Sequence, residues 1–286
     1  MRRSSLVVAV VVGAVAAAGI AIGSAGSSSV EGSPARQVHN RLLAQEAKAQ
    51  FVHFLSHQVT PGQAARAPRA ATSEAYYNWS GYADTSTKNG AFTKVSGSWK
   101  EPTVTCSAED QILAAWVGID GFSNATVEQI GVDAQCFEGQ AFYYTWYEMF
   151  PAAPVVIGQT VAPGDSISAS VSRSSTKYTL KITDSTHTAN SGSTTATCKA
   201  TTCLDTSAEW IAERPEYSST GDVPLAHFGS WTLNNGAVTS GGKAGTISSY
   251  KPVEITMIDS TDTYDLSTPS ALSGGNSFTM TWDNSY

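Results

Sequence analysis

Basic residues are scarce. The chain has 286 residues, with 17 Lys and Arg against 24 Asp and Glu. The imbalance is uneven. Residues 1–72 hold 7 Lys/Arg and 2 Asp/Glu, so +5, and residues 73–286 hold 10 and 22, so −12, which sums to the whole-chain −7. An acidic main segment argues against a nucleic-acid partner. It also leaves few carboxylates that a cation could hold. Salt-bridged carboxylates have depressed pKa values, and the stability they give is lost as pH falls. A domain with few of them has less to lose in acid. Histidine is scarce too: beyond residue 72 there are only His187 and His227, and no G-x-S-x-G occurs anywhere, which argues against serine hydrolase chemistry. His227 reads as structural. "ADTST" and "LDTSA" lack the glycine of the D-[ST]-G loops that a pepsin-like peptidase needs twice. There are four cysteines, no C-x-x-C and no histidine at ligand spacing, so zinc is a poor reading, and neither metal nor cofactor is expected. No stretch after Ile22 is apolar enough to span a bilayer.

What is present falls into three segments. Arg2 and Arg3 precede an apolar run from Leu6 to Ile22, then Gly, Ser and Ala. That order is a secretory leader, expected at 1–25, with an uncleaved anchor as the alternative. Residues 26–72 carry Leu42, Leu43, Ala47, Phe51, Phe54 and Leu55 at helical spacing, then Pro61-Gly62 and an exposed "AARAPRAATS" linker. One helix with no partner is not a domain, so 26–72 is expected to be a propeptide. Residues 73–286 form the main domain. In an exported chain, Cys106, Cys136, Cys198 and Cys203 favour two disulfides, for which three pairings are open. Cys106–Cys136 with Cys198–Cys203 is preferred, because the second pair closes the short "CKATTC" loop. Asn78 and Asn124 head N-x-[ST] sequons that read best as chance matches.

From Tyr76 onward, short runs rich in Val, Ile, Thr, Tyr and Trp alternate with Gly, Ser, Asn and Asp clusters. This predicts an all-β chain of antiparallel strands in a sandwich or barrel. Alternation sorts the faces of each strand. In "AAWVGID", Ala115, Val117 and Ile119 form one side, and Trp116, Gly118 and Asp120 the other. In "TVEQIGVD", Ile130 and Val132 share a side with Glu128, while Gln129, Gly131 and Asp133 share the opposite one. Tyr144, Trp146, Glu148 and Phe150 line one side of "YYTWYEMF". In "SAEWIAE", Glu209, Ile211 and Glu213 oppose Ala208, Trp210 and Ala212. Acids, a Gln and large aromatics without Lys or Arg suggest a ligand groove rather than a solvent face.

At these residues the sequence resembles the glutamic peptidases, the eqolisins of fungi and some bacteria. "NWSG", "AWVGIDG", "EQIGVD", "WYEMFP", "AEWIAERP", "VPLAHF" and "ITMID" follow in order through most of 78–286. The resemblance implies a concanavalin A-like sandwich of two large antiparallel sheets, one face curved into a substrate cleft. It implies a secreted, extracellular acid endopeptidase, pepstatin-insensitive, made with a propeptide and acting on protein and peptide substrates. The family's catalytic Gln and Glu fall on Gln129 and Glu209. Groove residues carry over to Trp79, Gly81, Asp120, Asp133, Trp146 and Glu148. Relatives often read "DAWYEWYP", whereas Tyr144 stands here in place of the acid and Met149-Phe150 in place of Trp-Tyr, which touches substrate preference.

The chemistry suits the residue types. An ionised Glu209 can take a proton from water as general base and return it to the leaving amine. The Gln129 amide can donate to the developing oxyanion. A carboxyl near its ordinary pKa of about 4 does both tasks only in acid. The rivals are a glycoside hydrolase, with Glu148 and Glu209 as its carboxylates and Trp116 and Trp146 stacking on sugars, and a sugar-binding sandwich. Residues 26–72 hold 5 Lys/Arg, 2 Asp/Glu and three histidines, so this basic segment is expected to cover and inhibit the acidic cleft near neutral pH. A monomer without stable membrane association is expected after processing.

Overall fold

The computed structural model describes residues 51–52, 73–107, 109–198, 201–217 and 221–285. Among the described residues the regular structure is strand, apart from two short 3-10 turns. β1 (Phe51–Val52), β2 (Ser73–Tyr76), β3 (Trp79–Thr85), β4 (Phe92–Lys100) and β5 (Gln111–Ile119) come first. β6 (Val127–Phe137), β7 (Gln140–Phe150), β8 (Val155–Gly158), β9 (Ser166–Ser174), β10 (Lys177–Asp184) and β11 (Gly192–Thr197) follow. The rest are β12 (Ser207–Glu213), β13 (Glu216–Tyr217), β14 (Gly221–Asp222), β15 (Ser230–Ser240), β16 (Lys243–Thr246), β17 (Val253–Ile258), β18 (Asp265–Pro269) and β19 (Phe278–Trp282).

Sixteen of these strands join in one hydrogen-bonded path, β11-β10-β9-β4-β15-β19-β18-β17-β3-β12-β5-β6-β7-β8, with β16 on β15 and β2 on β17. Pairing is antiparallel except between β2 and β17. The path folds over into two layers, and β15 is the hinge. Its first part, Ser230–Leu233, pairs with β19, and its second part pairs with β4. Register breaks between Asn234 and Ala237, where Asn235 has φ 54°. A bulge of this kind bends and twists a strand, which lets one strand serve both layers.

The core lies between the layers. Leu113, Ala115, Val117 and Ile119 of β5, Ile130 and Val132 of β6 and Trp210 of β12 pack against Val95, Ile167, Val171, Leu180 and Ile182 of the other layer. These are the alternate positions expected from the sequence, so the sandwich and its inward faces are as predicted. The outer faces of β3, β5, β6, β7 and β12 form a second apolar cluster around Trp79, Trp116, Trp146 and Ile211. The cysteines pair as preferred, Cys106 with Cys136 and Cys198 with Cys203, at Cα separations of 5.4 and 6.1 Å. One expectation is corrected: Phe51 and Val52 are extended and pair with Tyr217 and Glu216, where helical spacing predicted a helix. Their backbone bonds to β13 replace the bonds a helix would make within itself. The remainder of 26–72 and the leader at 1–25 lie outside the described residues.

Candidate active site

Register places the two residues of interest in one row. Glu209 of β12 stands opposite Gly118 of β5, Gly118 opposite Gln129 of β6, and Gln129 opposite Glu148 of β7. Ala83 of β3 flanks Glu209 on its other side. Adjacent strands are about 4.8 Å apart, so the Glu209 and Gln129 backbones lie about 10 Å apart with only a glycine between them. Gly118 keeps that gap clear. A Cβ there would lie 2.8 Å from the Trp116 ring and 3.3 Å from Gln129 Cβ.

The neighbouring rows build the walls. Gly81, Ile211, Trp116, Gly131 and Trp146 form the next one. Gly131 lets β6 come close to β5 at Trp116, since a Cβ there would come within 2.3 Å of the Ala115 carbonyl oxygen and 2.6 Å of Trp116 Cβ. At Gly81, φ is 139° and a Cβ would sit 2.1 Å from the Trp210 carbonyl oxygen, so β3 can approach β12 only as glycine. The third row holds Trp79, Glu213, Ala114, Asp133 and Tyr144. Trp79 meets Trp116 edge to face at 4.9 Å. The Trp116 indole donates to Glu213 at 2.8 Å, and the Tyr144 hydroxyl donates to Asp133 at 3.0 Å. Trp79, Trp146, Asp133 and Glu148 therefore share the face that carries Gln129 and Glu209. Glu213, ambiguous in the sequence, is a buried wall residue that orients Trp116.

Asp120 has a different task from the expected one. It ends β5 with φ 71°, and its carboxylate accepts from the backbone N–H groups of Asp205 (2.7 Å) and Thr206 (2.8 Å) and from the Asn124 amide (2.6 Å). It clamps the loop that leads into β12, and so acts on Glu209 through the backbone. The sequon at Asn124 is thereby occupied with Asp120, and Asn78 is buried. His227 packs its ring on Trp282 at 4.0 Å, a structural role as expected.

Gln129 and Glu209 differ in what holds them. Gln129 Nε2 donates to Glu148 at 2.6 Å, which fixes the orientation of the amide. An amide nitrogen has two N–H groups, so one stays available to the cleft. The Gln129 carbonyl oxygen has no hydrogen-bond partner among the described residues, and the only group that approaches the Glu209 carboxyl as a donor is the Ser207 hydroxyl two residues before it. Glu209 and Gln129 are fully buried in the whole chain. Burial, reinforced by the acids Asp120, Glu128 and Asp84, holds the Glu209 carboxyl well above the usual carboxylate range. The ordinary carboxyl expected from the sequence is therefore not what the closed site contains.

Residues 77–282 match the Peptidase A4 family. The chain belongs to that family. Aspergillopepsin-2 of Aspergillus niger is 31% identical over 213 residues, covering 67% of this chain and 73% of that protein. Scytalido-glutamic peptidase, solved with a transition-state analog inhibitor, superposes with a TM-score of 0.61 at 26% identity, covering 72% of this chain and 98% of its own. Aspergilloglutamic peptidase from Aspergillus niger gives 0.52 at 30% identity, over 60% and 99%. The protein is thus an eqolisin-type peptidase by family, and a hydrolase. The carbohydrate alternatives lose their footing on two counts. The family is a peptidase family, and Glu148 is committed to Gln129 rather than aimed across the cleft at Glu209.

Proposed function

We propose that this A4 peptidase is a secreted endopeptidase that hydrolyses protein and peptide bonds in acid with Glu209 and Gln129 as its dyad. The observation that carries it is the row Glu209–Gly118–Gln129–Glu148, in which a buried carboxyl faces a held amide across a glycine gap. Glu209, once ionised, takes a proton from the attacking water. The free Gln129 N–H bonds the oxyanion, a donor worth about 3–4 kcal/mol in comparable sites. The protonated Glu209 then gives its proton to the leaving nitrogen, and the C–N bond breaks. No covalent intermediate is needed.

Latency belongs to the same proposal. Residues 26–72 act as an inhibitory propeptide after the leader 1–25 directs export. Two observations support this. Glu209 and Gln129 are closed to solvent in the full chain, and Phe51–Val52 pairs with β13, three residues past the end of β12. Activity in acid then requires that processing let water reach Glu209, which would bring its pKa down. The test is digestion of casein at pH 3–4 by the processed protein with pepstatin present. Digestion supports the proposal; no digestion, or polysaccharide hydrolysis instead, contradicts it. The 26–72 peptide should inhibit the processed enzyme at pH 6, and failure to inhibit removes the latency claim.

A further inference from the structure

Glu128 is a buried acid that the dyad does not use. It stands one residue before Gln129 on β6 and points the other way, toward the core between the layers, and it is fully buried. Its surroundings are polar, and none of their donors hydrogen-bonds it. Asp120 at the end of β5, Asp205 in the loop before β12, Arg173 of β9, Tyr178 of β10 and the Cys198–Cys203 disulfide face it. Carboxylate oxygens of Asp120, Glu128 and Asp205 lie within 4.8 Å of one another. Tyr178 gives its hydroxyl proton to Asp205 at 2.5 Å. Arg173 lies 3.0 Å from Asp205 and also donates to the Ser175 carbonyl. The Asp205 and Thr206 N–H groups and the Asn124 amide go to Asp120. Glu128 Oε1 is 2.8 Å from Cys203 Sγ, a disulfide sulfur that carries no hydrogen, and Oε2 has no hydrogen-bond partner.

A buried carboxylate with no donor and two carboxylates beside it is strongly disfavoured. A carboxylic acid is not, because it brings its own O–H to give to the sulfur or to a neighbouring carboxylate. We propose that Glu128 is a positioning residue that works only as the neutral acid, tying the loop at residues 203–206 to β6 and so holding Glu209 and Gln129 in their row. The connection is short: the loop runs directly into β12, and Gln129 follows Glu128. Asp120 and Asp205, the two acids of the contact, both have positive φ, at 71° and 53°, so the loop is held in a conformation that needs its clamps. A cleft of about 630 Å3 is lined by Glu128 together with Thr126, Met149, Phe150, Cys198 and Leu204. When the proton leaves, the new charge faces Asp120 and Asp205, and the loop is pushed away from β6. A divalent cation could also satisfy three carboxylates, but the Arg173 guanidinium already stands at the cluster and would repel it. The same guanidinium opposes protonation of Glu128, against burial and the two neighbouring acids, which raise its pKa on balance.

The effect on catalysis rests on the dyad proposed above, so the test reads structure and activity separately. Glu128→Gln keeps the shape, stays neutral at every pH and supplies N–H donors. In the wild-type enzyme, hydrogen exchange of residues 201–206, corrected for intrinsic rates, should quicken at least about tenfold between pH 4 and pH 7. In Glu128→Gln it should stay slow. The ratio of activity at pH 6.5 to that at pH 4 should rise at least about tenfold, as the alkaline limb moves up by about one pH unit or more. Matching exchange and matching pH profiles in the two proteins overturn the proposal. If Glu128→Gln does not fold, flat exchange of the wild-type loop across this range overturns it alone. Millimolar calcium chloride protecting the wild-type loop at pH 7, but not the variant, would replace the proton by a metal and overturn it too. Loop exchange that follows Glu128 while Glu209→Gln stays active would keep this proposal and sink the dyad instead.

Discussion

At the scale of single residues, the site depends on what each polar atom has and lacks. Glu148 holds one Gln129 N–H, so the amide enters the reaction already oriented. Gln129→Ala should lower kcat about 100- to 1,000-fold with a smaller change in KM, because the lost bond forms mainly in the transition state; steady-state kinetics on a peptide substrate check this. Gln129→Glu should fail at least as badly, since a second carboxyl would face both Glu148 and Glu209. The residue types and their faces were legible in the sequence, as Gln129, Asp133, Glu148 and Glu209 all lie on the sides that alternation assigned. The task of Asp120 was not. Alternation put it on the groove side, but a left-handed φ ends the strand there and turns its carboxylate to the loop N–H groups. The raised pKa of Glu209 was also hidden, because it comes from burial and from acids distant in sequence.

At the scale of strands, glycine makes the cleft. Gly118 stands between the Glu209 and Gln129 side chains, and any Cβ there must displace the Trp116 ring or the Gln129 side chain. Gly118→Ala should therefore cut kcat at least about tenfold while shifting Tm by only a few degrees, since the clash falls on side chains that can move. Gly131→Ala meets the Ala115 carbonyl oxygen at 2.3 Å, which is backbone, and should destabilise the fold by about 2 kcal/mol or more; urea unfolding of the two variants checks the contrast. A glycine inside an apolar run signals close approach of something, but only register says of what. β15 shows the same limit. Its Asn234-Asn235-Gly236 carries turn residues, yet the chain uses them as a bulge that bends one strand through both layers.

At the scale of the molecule, the acids set the pH range. Burial raises the carboxyl pKa of Asp84 to about 8, of Glu101 to about 8 and of Asp205 to about 6. It also raises those of Glu128 and Glu209. Asp259 and Asp184, which accept several hydrogen bonds, are held below the usual range. The sign follows from proton linkage. A carboxyl with a raised folded pKa binds its proton more tightly folded than unfolded, so its contribution is complete below about pH 4 and is lost as pH rises toward its folded value. Asp184 and Asp259 work the other way, with stability lost as pH falls, but they are fewer. The balance predicts a higher Tm at pH 4 than at pH 7, with the decline spread between them, and scanning calorimetry across pH 3–8 would show it. A Tm that climbs toward neutrality would contradict the sign. Arg173–Asp205 and His187–Asp165 are ion pairs that tie two of the acids to cations.

The central claim is that one carboxyl, Glu209, moves the proton in peptide hydrolysis. Its most direct measurement is turnover of casein at pH 3–4 by processed Glu209→Gln beside processed wild type, with circular dichroism confirming the same fold. The dyad predicts activity reduced at least about 1,000-fold in the variant. A correctly processed, folded Glu209→Gln enzyme that turns over at the wild-type rate would contradict it.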